Sequence, residues 1–307
     1  MPATVACANC SALNDADFAR CIRCNRPLKP GTPRPRLRIE PVHGTEPWLG
    51  RWDAESLPAT KLVLALNGVL MAAYVALAFR GTNSIWKSLL GPGERDFDDM
   101  AIVEFWYGFY ERLGFLLPSW VLERGEAWRI LSACFAHFGV IHFAMNMFAL
   151  IHLSRLAEPA LGSVRYLIAY VGTGILGFAA SLAWTVALGE PHVTAGASGA
   201  VFGLMGVVLG FLWRRRDKRW KAWLVQGVLM SVVFTFLLGQ VNHAAHFAGL
   251  GSGVMFGALF APGAPKPSLR WQRVLALLLA FACVASLAAS PVVYFRKMQK
   301  DRSSEVD

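Results

Sequence analysis

At 307 residues, with 55% hydrophobic residues, 16% charged residues and a mean hydropathy of +0.42, the chain is too apolar for an ordinary soluble domain, which carries about 25% charge. Its formal net charge of +10 raises nucleic-acid binding, but no basic stripe alternates with stacking aromatics, so no nucleic-acid partner is expected. Basic residues gathered at the ends of apolar runs are instead what orients a membrane protein.

Residues 1–30 form a polar head with Cys7-x-x-Cys10 and Cys21-x-x-Cys24. Two such pairs ten residues apart resemble a small zinc ribbon, in which four thiolates hold one Zn2+ tetrahedrally. The separation falls below the usual ~15–20 residues, so the loop between them is tight. On the cytoplasmic side, where the head is expected, disulfides do not persist, which favours a structural metal over a redox pair. A cytoplasmic partner for the head is also expected. Residues 31–60 make a Pro/Arg-rich linker, entered through KPGTPRPRLRIEP, too poor in apolar residues to pack a core. These first 60 residues lack the apolar core of a signal peptide.

From residue 61 onward the apolar runs recur. Spans are expected near Leu62–Phe79, Gly139–Leu156, Tyr166–Leu188, Ser198–Trp213, Ala222–Gly239, His246–Phe260 and Val274–Tyr294. Several are short for the ~20 residues that cross a bilayer, which suits helices starting at a submerged, partly watered site. The intervening segment 81–127 contains FWYGFYERLGFLLPSW; it is too amphipathic to cross and is expected to lie in the interface with its aromatic face in lipid.

Lys and Arg set the orientation. The head, the connection 214–221 (Arg214, Arg215, Arg216, Lys218, Arg219, Lys221) and the connection after the sixth span (Lys266, Arg270, Arg273) are basic. The segments 81–127, 189–197 and 239–245 are acidic or nearly neutral. Seven spans with a cytoplasmic N-terminus satisfy this bias, at the cost of placing the basic tail RKMQKDR outside.

The chemistry gathers on three spans. Gly196-Ala197-Ser198-Gly199 puts a serine at the mouth of an apolar helix, AVFGLMGVVLGFLW, where the first backbone N–H groups have no intrahelical acceptor. His246 opens a second apolar segment two crossings later, so both groups start on the same side of the bilayer. Ionisable residues inside membrane spans are costly and mark function. Gly199, Gly203, Gly206 and Gly210 on the serine helix, and Gly249, Gly253 and Gly257 on the histidine helix, give two smooth faces that can pack closely. A nucleophile–base pair follows. A packing or capping serine is the plainer alternative, as is a water-bound interfacial histidine; His243, on the preceding loop, is read as such a bystander. In the second span, after His137, His142 and Asn146 lie i and i+4 on one face. Their N–H groups can stabilise an oxyanion or join helices. Cys134 and Cys283 are read as packing residues.

Four separated motifs together resemble the rhomboid intramembrane serine proteases: Trp128-Arg129, His142 with Asn146, GASG at 196–199, and His246-x-x-Gly249-x-x-x-Gly253. The resemblance covers roughly residues 60–260. It implies Ser198 as nucleophile, His246 as general base without an aspartate, and His142, Asn146 and the Ser198 N–H as oxyanion donors. Gly196, Gly199, Gly249 and Gly253 line the site, and Trp128-Arg129 matches a structural motif of the long loop. A seventh span resembles the family's six-plus-one arrangement. The fold expected is therefore an all-α polytopic bundle: head 1–30, linker 31–60, membrane core 61–260, and a seventh helix with tail, 261–307. The function implied is cleavage of single-pass membrane proteins in or near their spans, with no catalytic cofactor, in a bacterial inner membrane. Two rivals are a non-catalytic rhomboid-like binder of client helices, which typically lacks the serine or histidine, and a transporter with broken helices, for which no inverted repeat is visible. A metalloprotease is disfavoured by the absence of HExxH.

Overall fold

The computed structural model describes residues 4–15, 18, 20–22, 24, 26, 28, 57–91, 98–189, 192–238, 242–260 and 269–304. The chain divides into two compact units, 1–54 and 55–307. Most of the expected linker lies outside the described residues.

In the first unit, β1 (Thr4–Ala6) and β2 (Leu13–Asp15) pair antiparallel with Thr4 opposite Asp15. The buried Asn14 holds the following turn, its Oδ1 accepting the Ile22 N–H at 2.9 Å. Cys7 and Cys21 are the buried apolar side chains among the described residues of this module.

The second unit is helical. Among the described residues, α1 (Pro58–Thr82), α6 (Val140–Leu161), α7 (Ser163–Leu188) and most of α11 (Leu269–Ser304) are long and apolar enough to cross a bilayer. Between them stand α8 (Ser198–Arg214), α9 (Trp220–Leu238) and α10 (His243–Phe260). At 17 residues, α8 rises only about 26 Å, short of the ~30 Å hydrocarbon core. All seven expected spans are helices. Several helices start ahead of the expected spans: α7 at Ser163, α9 at Trp220 and α11 at Leu269. Likewise α1 begins within the expected linker because Pro58 is pre-set for the first helical turn, and α10 begins at His243, which was expected on a loop.

Glu158, fully buried near the end of α6, fixes the start of α1. Its carboxylate accepts the Ala59 and Thr60 N–H groups at 3.0 and 2.9 Å, the Thr60 hydroxyl at 2.5 Å and the Ser163 hydroxyl at 2.6 Å. A carboxylate at a helix N-terminus supplies acceptors to N–H groups that have none within the helix.

The long segment folds as α2 (Ile85–Leu90), α3 (Met100–Arg112), α4 (Pro118–Leu122) and α5 (Arg129–Ser132). It does not cross, but its aromatic face turns away from lipid. Trp106, Phe109, Tyr110, Phe115 and Trp120 are buried together with Tyr74 of α1, and all but Trp120 meet one another edge-on or tilted at centroid separations of 4.6 to 5.8 Å. Such rings gain more by packing on one another than by lying in the interface. Arg129, fully buried, organises this segment: it pairs with Glu126 and donates to the carbonyls of Glu111 and Phe115 at 3.0 and 2.9 Å. Its guanidinium also lies over Trp120, 4.7 Å from the ring centre.

The far end of α11 packs beside α3. Arg112 donates to Tyr294 Oη at 2.5 Å and stacks over its ring, and Lys297 lies 3.6 Å from Glu111. The tail thus shares its side with segment 81–127, where the buried Glu111 meets one of its charges.

Candidate active site

Gly196 shapes the approach to Ser198. Its φ of +140° belongs to a region that residues with a Cβ rarely adopt. A Cβ there would stand 3.1 Å from His142 Nε2 and 3.6 Å from Ser198 Oγ, so the glycine leaves a small space bounded by imidazole and hydroxyl. The loop is pinned from behind: the Gly196 N–H donates to Ala133 O at 2.9 Å, and the Ala197 N–H to His137 Nε2 at 3.3 Å. Ser198 then begins α8, with its own N–H at the open end of the helix.

His246 Nε2 lies 2.7 Å from Ser198 Oγ. The imidazole is buried and stacks on Phe202, one turn beyond the serine, with centroids 4.3 Å apart and planes 17° apart. For Nε2 to accept the serine proton, the ring must carry its hydrogen on Nδ1, which finds no hydrogen-bond partner. Among the described residues no carboxylate orients this imidazole; the flat contact with Phe202 does so, and a ring face also favours a neighbouring positive charge.

The closeness follows from glycine. A Cβ on Gly249 would strike Gly199 O, and one on Gly253 would strike Gly203 O; Gly257 faces Val207 O in the same way. In the other direction, Gly206 and Gly210 of α8 face the carbonyls of Leu250 and Val254. Each helix backbone lies in the groove of the other, and no side chain separates Ser198 from His246.

His142 Nδ1 faces the Phe138 N–H at 3.4 Å. Accepting there, the ring carries its hydrogen on Nε2, the atom turned toward Gly196. Asn146 is buried, and its Nδ2 donates one hydrogen to His142 O at 2.9 Å, keeping a second. The expected residues of the core site are therefore gathered: Ser198, His246, His142 and Gly196 meet directly, and Asn146 stands one turn below His142. Cys134 and Cys283 are buried free thiols away from this chemistry.

Sequence reasoning did not assign four of the supporting groups. Phe202 was hidden among apolar residues, although its i+4 spacing from Ser198 puts it on the same helix face. His137 bridges Phe135 O (3.1 Å) and the Ala197 N–H, a role set by a distant loop. Thr194 forms an isolated bridge with Leu116, and Asn242 caps α10; an Asn just before an apolar helix is an N-cap signal.

A family model of the Rhomboid domain matches residues 124–263. Rhomboid protease GluP of Bacillus subtilis (strain 168) is 31% identical over 165 residues, covering 53% of this chain and 31% of GluP. RHOMBOID-like protein 1 of Arabidopsis thaliana is 32% identical over 154 residues, 49% of this chain and 39% of the relative. YdcA of Bacillus subtilis, whose name also places it with the rhomboid proteases, is 31% identical over 141 residues, 45% of this chain and 69% of YdcA. The chain belongs to the rhomboid family. It spans under two fifths of the length of the first two relatives. The matched rhomboid domain contains Arg129, His142, Asn146, Ser198 and His246, while the head, α1 to α4 and α11 fall outside it. The family and the apolar helices together make the chain an integral membrane protein.

This rhomboid chain carries a second candidate site in its head. The sulfurs of Cys7, Cys10, Cys21 and Cys24 all lie within 4.8 Å of one another. Cys7 and Cys24 are 3.6 Å apart, as are Cys10 and Cys21. Four thiolates about 2.3 Å from one zinc ion would stand about 3.8 Å apart at tetrahedral geometry. The four cysteines can hold a metal.

Proposed function

We propose that this rhomboid is an intramembrane serine endopeptidase that cuts single-pass membrane proteins in or near their spans. The observation that carries the reading is the 2.7 Å approach of His246 Nε2 to Ser198 Oγ on two closely packed apolar helices. His246 takes the Ser198 proton as Oγ attacks the scissile carbonyl carbon, and the carbonyl π-electrons move onto oxygen. The His142 Nε2–H, the free hydrogen of Asn146 Nδ2 and the Ser198 N–H donate to that oxyanion. The imidazolium, resting on Phe202, then protonates the leaving amine as the C–N bond breaks. A water, deprotonated by His246, attacks the acyl carbon; the C–Oγ bond then breaks and Oγ takes its proton back from the imidazolium. Metal plays no part in these steps. The head holds one structural Zn2+ through Cys7, Cys10, Cys21 and Cys24, whose binding supplies the folding energy its small core lacks, and it faces a cytoplasmic partner.

Domain boundaries near 30, 60 and 260 and a bacterial inner-membrane location with a cytoplasmic N-terminus complete the reading. The test is covalent labelling of the purified chain by a fluorophosphonate, with the modified residue mapped by mass spectrometry, beside cleavage of a single-pass substrate in liposomes. Label on Ser198, lost in His246→Ala, is expected. An unlabelled Ser198 in a folded protein, or cleavage that survives Ser198→Ala, refutes the assignment.

A further inference from the structure

Glycine faces bring α8 and α10 together backbone to groove, which sets their separation. One polar residue is placed to add a hold on the register of α10 beyond that seam. Asn242 caps α10: its Oδ1 accepts the Ala245 N–H at 3.0 Å, and its carbonyl accepts the His246 N–H at 3.2 Å. Capping needs only the side-chain oxygen. The amide nitrogen reaches away from the helix, donating to Ser181 Oγ of α7 at 2.5 Å and to Thr194 Oγ1 at 2.9 Å. Both hydroxyl residues are buried, at 1% and 6% exposure, where such bonds are strong and costly to leave unmade. Thr194 is in turn held to Leu116 by paired backbone bonds of 3.0 and 2.8 Å, and it stands four residues before Ser198.

We propose that Asn242 is a positioning residue, a three-way clasp joining the first turn of α10, the body of α7 and the segment leading into Ser198. One end of the clasp is one turn from the base and the other four residues from the nucleophile. It fixes the axial register of α10 against α8 and so the separation of Nε2 from Oγ. The role rests on the Ser198–His246 reading.

Three substitutions separate the clasp from simple capping. Asn242→Ser keeps an N-cap oxygen but is too short to reach α7 and Thr194. Asn242→Asp keeps the cap and the reach, because the hydroxyls of Ser181 and Thr194 can rotate to donate to a carboxylate. Thr194→Val removes one bond with little change of shape and stands in if Asn242→Ser fails to fold. Each is measured in liposomes for Ser198 labelling rate, kcat and KM, and in detergent for melting temperature. Asn242→Ser is expected to lower labelling and kcat by about 10- to 100-fold, the cost of a misplacement near 1 Å, with KM and melting temperature close to the parent. Thr194→Val falls in the same direction by less, and Asn242→Asp recovers to within about threefold. Asn242→Ser labelling at the parental rate, Asn242→Asp no better than Asn242→Ser, or losses that follow melting temperature would each overturn the clasp while leaving the dyad standing. A parent protein that is not labelled on Ser198 overturns the dyad and the clasp's role with it.

Discussion

Replacing Gly249 with alanine adds one methyl group where α8 and α10 touch. That Cβ would fall on Gly199 O, well inside the 3.0 Å that real Cβ contacts respect. The atom it meets is helix backbone, which cannot rotate aside, so the helices must part by roughly 1 Å at the level of the dyad. Overpacking of this kind costs about 1–3 kcal/mol of stability. The catalytic cost is larger in proportion: the 2.7 Å contact between His246 and Ser198 opens by a similar distance, and a misplacement of that size lowers rate by about 10²-fold. Gly251, two residues along the same helix, provides the control. A Cβ there meets nothing within 4 Å, so Gly251→Ala should keep full activity and gain up to about 1 kcal/mol of helix propensity. The assay is single-pass substrate cleavage in liposomes with Ser198 labelling, and thermal unfolding in detergent for both variants. Gly249→Ala labelling as fast as Gly251→Ala would show that close glycine packing does not set the dyad, and the geometric argument would fail.

Four further outcomes are expected. Asn146→Ala should keep partial proteolysis, down about 10²–10³-fold as for loss of one oxyanion donor, whereas Ser198→Ala and His246→Ala abolish it without unfolding the protein; cleavage assays beside melting curves give the ranking. Glu158→Ala should leave the Ala59 and Thr60 N–H groups and two hydroxyls without acceptors and cost on the order of 3 kcal/mol, read as a lower melting temperature, with Glu158→Gln intermediate. The purified chain should carry one zinc per molecule under reducing conditions, lost in Cys7→Ser with Cys21→Ser; metal analysis below about half an equivalent would refute the site. Reporter fusions after residues 60 and 218 should both read cytoplasmic, and a translocated signal at either would reverse the topology.

Much of this molecule is local and was legible. Each long helix announces itself by composition, because a backbone in lipid must satisfy its own hydrogen bonds, and the expected spans fall on helices. Ser198 and His246 stood out because a hydroxyl after Gly196 and an imidazole inside an apolar run are conspicuous where polarity is costly. The cysteine pairs announced a tight cluster by spacing alone. What failed was the environment of amphipathic residues. FWYGFYERLGFLLPSW reads equally as an interfacial helix or as a packed aromatic layer, because both need rings on one side. Only neighbours distant in sequence, Tyr74 on α1 and Phe138 before α6, decide that the rings are buried.

The sequence by itself determined the membrane class, the positions of the apolar helices, Ser198 and His246 as candidates for nucleophile and base, and the four clustered cysteines, since these depend on residue type and short-range spacing. The tertiary structure decided the rest, because it depends on distances between segments remote along the chain. The glycine faces could predict that α8 and α10 come close, but not that each carbonyl sits where a methyl group would be. No spacing reveals that His137 takes the Ala197 N–H, that Glu158 caps a helix about a hundred residues away, or that Asn242 reaches both Ser181 and Thr194. A hydrogen bond needs its partners within about 3 Å and aligned, and the fold alone brings such partners together.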